Sequence, residues 1–301
     1  MAYAKPLIIA GATGYGAWPA NTLEGAEHCL AAPIDGIEID VQITADGHVV
    51  AHHDYRLHAD QTRLDGAWLE AAGPALKTLS LDDLRRYDIG RARPGSKTAR
   101  RYPNQMQMDR VRIPTLTELL TLLNAAPGPR RLLYVEIKTD PQDSTDAPAP
   151  DTITTAVFDD LEAADYLDHA KIIAFDWQVL RLSTARQPGV KTAHLTIPHA
   201  MAGQVKRGAD GRSPWTDGCD PLDHGGSEFQ AIKAHRGMEW SPHLSDMTPE
   251  RVAEAERLGL LVGPWGVSTA EDIAAAKAMG AFSLTVSGPE WGNSRSRIPS
   301  S

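Results

Sequence analysis

Cysteine is nearly missing from this chain. Two thiols in 301 residues, Cys29 and Cys219, allow one bridge at most and exclude a disulfide framework. An excess of positive charge is missing too: 30 Lys and Arg stand against 39 Asp and Glu, for a net charge of −9 and a pI near 5.6. That balance argues against general binding to nucleic acid or anionic membranes. No apolar run approaches the roughly 20 residues needed to span a bilayer. The N-terminus enters Pro6-Leu-Ile-Ile-Ala10 without the basic region and longer apolar stretch of a secretory signal, so a cytoplasmic location is the expectation. What remains is 42% hydrophobic residues with aromatics at 6%, the composition of a globular protein with a sizeable core.

Within that composition, one strand carries two acids. In Gly36-Ile-Glu-Ile-Asp-Val-Gln, alternation sends Ile37, Ile39 and Val41 to one face and Glu38 and Asp40 to the other. Like charges at this spacing repel, and their burial is costly unless an oxygen-binding cation such as Mg²⁺ or Ca²⁺ sits between them. A strand with one wet face explains the same alternation without a cation. Asp46-Gly47 then signals a two-residue hairpin turn. Such a turn pairs Ala45 with His48 and Gln42 with Ala51, and brings His53 directly opposite Asp40. His52 then points away, and the other nine histidines lack ligand spacing and are assigned to the surface.

Apolar runs alternate with helical patterns along most of the chain. Strands are expected at 7–10, 37–41, 132–138, 171–175, 191–196, 238–241, 261–267 and 282–286. Helices are expected from Asn21 and over 115–124, 152–164, 177–186, 249–258 and 269–279. Asn21 with Glu24 and Ser268 with Glu271 have capping-box spacing, and Thr248-Pro249 is a good helix start. Eight strands alternating with helices fit a single (β/α)₈ TIM barrel over residues 1–301, with an insertion after the second strand at 54–113. That insertion reads as basic and irregular (Arg85, Arg86, Arg91, Arg93, Lys97, Arg100, Arg101), with a turn at Arg93-Pro94-Gly95-Ser96. It is taken as a solvated surface or, as the alternative, a run that draws in a phosphate substrate. A second, covering about 197–227, is rich in Gly, Pro and Asp.

Catalytic groups of such barrels sit at the C-terminal strand ends. There Glu136 is placed to complete a three-carboxylate cation site with Glu38 and Asp40, and Lys138 to meet a phosphate oxygen. Trp265 at another strand end is a candidate pocket wall.

With these residues in place, the chain resembles the glycerophosphodiester phosphodiesterase family, metal-dependent barrel hydrolases that release glycerol 3-phosphate and an alcohol. The resemblance rests on Gly36-Ile-Glu-Ile-Asp-Val-Gln-Ile-Thr-Ala-Asp-Gly, His53-Asp54, Tyr87-Asp-Ile-Gly-Arg-Ala-Arg-Pro-Gly-Ser96, Glu136-Ile-Lys138, Phe175-Asp-Trp and Pro264-Trp265, in that order. It implies that Glu38, Asp40 and Glu136 are metal ligands, that His53 is one of two acid/base histidines, and that Lys138 contacts phosphate.

The departures are equally specific. Where the family's first strand ends in His-Arg-Gly, the alignment from Asn21-Thr22 puts Gly11 in place of the first catalytic histidine and Ala12 in place of the phosphate-binding arginine. Ala20 replaces a glutamate, Ala174 a serine and Phe282 an aspartate. Trp265-Gly-Val-Ser268 replaces Trp-Thr-Val-Asn, and Val286-Ser287 replaces Thr-Asp. The expectation is therefore an impaired or altered, cation-dependent phosphodiesterase acting on small-molecule diesters. A catalytically inactive barrel binding cation and phosphate is the first alternative. The more remote one is an NAD(P)-binding oxidoreductase, because Gly11-Ala-Thr-Gly14 imitates a dinucleotide loop.

Overall fold

The computed structural model describes residues 5–198, 201 and 207–288. The barrel strands, first to eighth, are Leu7–Ala10, Gly36–Ile43, Leu132–Ile137, Ala170–Ala174, Lys191–Thr196, Glu239–Pro242, Leu261–Val262 and Ser283–Val286. They pair in parallel in chain order, and the eighth pairs with the first. Hydrogen bonds from Phe282 N–H to the Val262 carbonyl and from Thr285 N–H to that of Pro264 link seventh to eighth. The result is the expected (β/α)₈ barrel. Helices follow the first seven strands at Leu23–Leu30, Leu116–Ala125, Pro150–Ala163, Trp177–Arg186, Glu228–Ala234, Pro249–Arg257 and Ala270–Ala278. Among the described residues no helix is long and apolar enough to cross a membrane.

Side-chain alternation builds two cores. Ile37, Ile39 and Val41 join the layer between strands and helices, with Leu116, Leu119, Leu133, Val135, Val157 and Phe158. Each fully buried aliphatic side chain of this layer contributes about 1.5–3 kcal/mol. Inside the barrel, Ile9, Tyr134, Ile173, Ala193 and Leu195 pack together. Toward its N-terminal end the buried Lys171 amine meets Glu239 at 2.5 Å and the Tyr134 hydroxyl at 2.9 Å. Above this plug, Glu38, Asp40 and Glu136 share the interior face.

Several local expectations are corrected. The hairpin pairs Gln42 with Val50 and Ile43 with Val49, one residue away from the expected register. Thr44 accepts from Gly47 N–H, and Gly47 takes φ +87°, so the loop has three residues with glycine in the left-handed position. Asp40 consequently lies beside His52, whose N–H donates to the Asp40 carbonyl at 2.9 Å. Thr22, not Asn21, caps the first helix, and Thr269 with Asp272, not Ser268 with Glu271, forms the last capping box. Thr248 and Pro249 open their helix as expected. The seventh strand ends early because Pro264 has no N–H to continue the ladder. The helix at Glu228–Ala234 was not expected.

The insertion is ordered, contrary to its reading as an irregular surface. Leu57, Leu76, Leu84, Ile89, Val111 and Ile113 bury one another with Val50 of the hairpin. Arg63–Leu64, Ala67–Trp68 and Tyr87–Asp88 form a small antiparallel sheet. Most of its arginines are bound locally: Arg63 to Asp88 and Asp109, Arg91 to Asp109, Arg85 to Glu118. Its far end clamps the first strand–helix loop, where the Gln105 amide donates to the carbonyls of Tyr15 and Trp18.

Candidate active site

The second and third strands pair Asp40 with Glu136. Register and alternation thus bring Glu38, Asp40 and Glu136 together, with one ligand oxygen from each within 4.8 Å of the others. All three are buried. Lys138 continues the third strand, and its amine lies 2.9 Å from Asp40 Oδ1 and 2.5 Å from Glu136 Oε1. Ala12 N–H donates to Glu38 Oε2 at 2.7 Å.

These contacts set the charges. Burial, reinforced by Asp40 and Glu136, raises the pKa of Glu38 well above the carboxylate range. Burial also raises Glu136, against the pull of Lys138. It acts upward on Asp40, but Lys138, His53 and the Asn21 amide outweigh it and hold Asp40 ionised. Lys138 loses hydration on burial, yet Asp40 and Glu136 hold its pKa above the ordinary value. One amine cannot neutralise three clustered carboxyls, and among the described residues Glu38 has a single backbone donor. An all-oxygen set with unmet negative charge is chemically suited to a hard divalent cation.

His53 stands at the rim, its side chain 51% exposed, with Nδ1 2.7 Å from Asp54 Oδ1. Burial raises the pKa of Asp54, but the bond to His53 prevails and lowers it to about 2. That carboxylate accepts the Nδ1 proton, which leaves the Nε2 lone pair as the basic position. Lys138 and burial lower the pKa of His53; Asp40 and Asp54 outweigh them, and the net shift is upward.

Glu38, Asp40, Glu136, Lys138, His53 and Trp265 all line one cavity of about 230 Å³ over the C-terminal strand ends. Trp265 forms a wall there, edge-on to Phe175 at 5.7 Å between ring centroids. Gly11 and Ala12 reach the same cavity but present no functional side chain. They form a tight turn in which Ala12 (φ +42°) and Thr13 (φ +56°) are left-handed, and the helix opens only at Leu23. A dinucleotide loop requires the helix to start at the glycines, so the oxidoreductase reading finds no support here.

Three residues of the site escaped the sequence reading. Asn21, taken for a cap, donates from Nδ2 to Asp40 Oδ2 at 2.8 Å and accepts from Asp40 N–H at 3.1 Å, with φ +57°. Arg101, at the end of an insertion helix, lines the cavity; the basic run of the insertion included it, but nothing local distinguished it from the other arginines. His243 follows the sixth strand, lines the cavity and packs on Trp265; its place at a strand end was the available signal. His194 and His235, likewise assigned to the surface, are bonded to each other at 3.0 Å, with His194 fully buried.

The Glycerophosphoryl diester phosphodiesterase family profile matches residues 11–289. A glycerophosphodiester phosphodiesterase of Caldanaerobacter subterraneus is 24% identical over 286 residues, 95% of this chain and 96% of the relative. A structure from Silicibacter pomeroyi assigned to glycerophosphoryl diester phosphodiesterases superposes with a TM-score of 0.83 at 28% identity, covering 97% of this chain and 93% of the other. An Oleispira antarctica phosphodiesterase in complex with its product sn-glycerol-3-phosphate gives a TM-score of 0.68 at 18% identity, covering 96% of each chain, and shares the fold. With the family match spanning nearly the whole barrel and its acid-lined rim, this chain belongs to the glycerophosphoryl diester phosphodiesterase family and is a phosphoric diester hydrolase.

Proposed function

We propose that the chain hydrolyses glycerophosphodiesters to glycerol 3-phosphate and an alcohol, with Mg²⁺ or Ca²⁺ held by Glu38, Asp40 and Glu136. The observation that carries this reading is the buried carboxyl cluster, which Lys138 alone cannot neutralise. A bound dication supplies charge neutralisation and orientation for the phosphoryl oxygens. His53 Nε2 serves as the acid/base, oriented by Asp54. Lys138, tied to two of the acids, also offers the phosphate a point charge, and Trp265 shapes the space for the glycerol or the alcohol. The net charge of −9 favours a small-molecule diester over nucleic acid.

Gly11 and Ala12 leave the first strand without an acid/base or a cation, and this alters the chemistry. Loss of one acid/base partner typically costs about 10²–10⁴ in rate. A phenolate leaving group needs no protonation, so activated diesters suffer least.

The test follows release of glycerol 3-phosphate from glycerophosphocholine with and without added Mg²⁺ or Ca²⁺, beside an activated p-nitrophenyl diester. Activity that needs the cation and disappears with chelator or in Glu38→Gln is expected, with the activated diester turned over faster. Cation binding without any release would overturn hydrolysis in favour of the binding-protein alternative. Equally poor turnover of both diesters would overturn the account of the altered first strand.

A further inference from the structure

We propose that Arg101 and His243 form the clamp for the non-bridging phosphate oxygens, supplying from the insertion and the sixth-strand end what the first strand lacks. The proposal rests on the phosphodiester reading above and adds to it the groups that hold the anion.

The charge of the site calls for such groups. With all three acids ionised, their charge matches that of Lys138 and a dication, so a bound diester brings a further negative charge that calls for donors beyond these. Most of the insertion arginines already have local acceptors, but Arg101 has no carboxylate partner among the described residues. Its guanidinium lies 5.4 Å from the Tyr102 ring centre, at the cavity wall. It is exposed, positively charged, and close enough to His243 to help depress that residue's pKa, after burial.

The ring orientation of His243 can be read from its bonds. The backbone N–H of Ser245 donates to Nδ1 at 3.2 Å, and the Ser245 hydroxyl lies 2.7 Å from the same atom. Nδ1 is therefore the acceptor, and in the neutral ring the proton resides on Nε2. Nε2 has no hydrogen-bond partner among the described residues. This is the opposite tautomer to that of His53, so one histidine offers the cavity a base and the other an N–H donor.

Gly266 makes the placement possible. A Cβ there would lie 2.7 Å from His243 Nε2, and its φ of +74° disfavours any side chain. Trp265 supports the imidazole edge-on, 4.7 Å between centroids.

The experiment measures KM for glycerophosphocholine and, by calorimetry in the presence of cation, affinity for glycerol 3-phosphate. Variants are Arg101→Ala, His243→Asn, Gly266→Ala and, as control, the neighbouring Arg100→Ala, whose side chain bonds the Gly95 carbonyl. Asparagine retains the cap that His243 gives to Ser245. In Arg101→Ala and His243→Asn, KM should rise and glycerol 3-phosphate binding weaken by about tenfold or more. Cation affinity should stay at the parent value, and Arg100→Ala should match the parent throughout. Gly266→Ala, by displacing the ring, should reproduce His243→Asn. Parent-like KM and product affinity in both Arg101→Ala and His243→Asn would overturn the clamp while leaving hydrolysis standing. A parent chain that does not hydrolyse the diester, yet binds glycerol 3-phosphate through these two residues, would overturn the hydrolytic reading and keep the clamp. A parent chain that binds no glycerol 3-phosphate overturns both.

Discussion

Lys138 shows how closely stability and function are joined at the residue scale in this site. Its amine is buried against two acids, so Lys138→Met removes the positive charge and leaves the carboxyls facing one another. Truncating one partner of a buried pair typically costs about 3–5 kcal/mol. Urea unfolding of Lys138→Met should show a loss of that size without cation and substantial recovery with it, since binding to the native state adds stability. A loss unchanged by saturating cation would separate the acids from cation binding. Asn21 was equally hidden. Sequence spacing favoured a capping role, but Thr22 takes the cap and frees the amide to hold Asp40 from both sides. Spacing along the chain cannot show which of two adjacent polar residues turns toward a strand 19 positions away.

At the scale of elements, the hairpin is the most instructive case. Its existence and its turn glycine were legible, and its register was not. A two-residue and a three-residue loop both use Asp-Gly, and the choice moves every cross-strand pair by one. Here Thr44 bonds both His48 N–H and Asp46 Oδ1 through its hydroxyl, which stabilises the wider turn. His53 nonetheless reaches the rim because the strand stops at Ala51 and the chain is free to turn. Gly47→Ala should cost about 1–2 kcal/mol, because φ +87° is disfavoured for an L side chain although the space beside it is open. Thermal melts measure this loss, and an unchanged melting temperature would contradict the observed turn. The insertion taught a different lesson. Its charge was read correctly, but Leu57, Leu76, Leu84, Ile89, Val111 and Ile113 are too scattered in sequence to reveal a common core.

For the whole molecule, pH dependence follows from histidines held neutral outside the active site. Burial first, then His235, lowers the pKa of His194 well below its ordinary value. Burial likewise lowers His235, although Asp217 opposes it from 3.3 Å and Arg181 adds to the lowering. Trp177 packs edge-on against His194. At these two histidines the unfolded chain therefore binds more protons than the folded one as pH falls below about 6.5, and their contribution to stability declines through that window. Glu38 and Glu136, whose pKa values are raised, act in the opposite sense between the ordinary carboxylate range and their raised folded values, and so offset part of the histidine effect. Denaturant unfolding at pH 7.5 and 5.5 should show that stability of His194→Phe, relative to the parent, rises as the pH falls. Equal pH slopes in the two proteins would remove His194 as the cause.

By itself the sequence determined the period of the strands, their alternation with helices, and the placement of Glu38 and Asp40 on one face. These properties are set by residues within a few positions of one another. Glu136, Lys138 and the barrel were legible because strand ends in this architecture must meet at one rim. Tertiary structure alone decided the hairpin register, the turn of Asn21 toward Asp40, and the arrival of Arg101 and His243 beside the acids. Those outcomes depend on contacts between distant segments, where packing, desolvation and charge balance act together and no local pattern records the result.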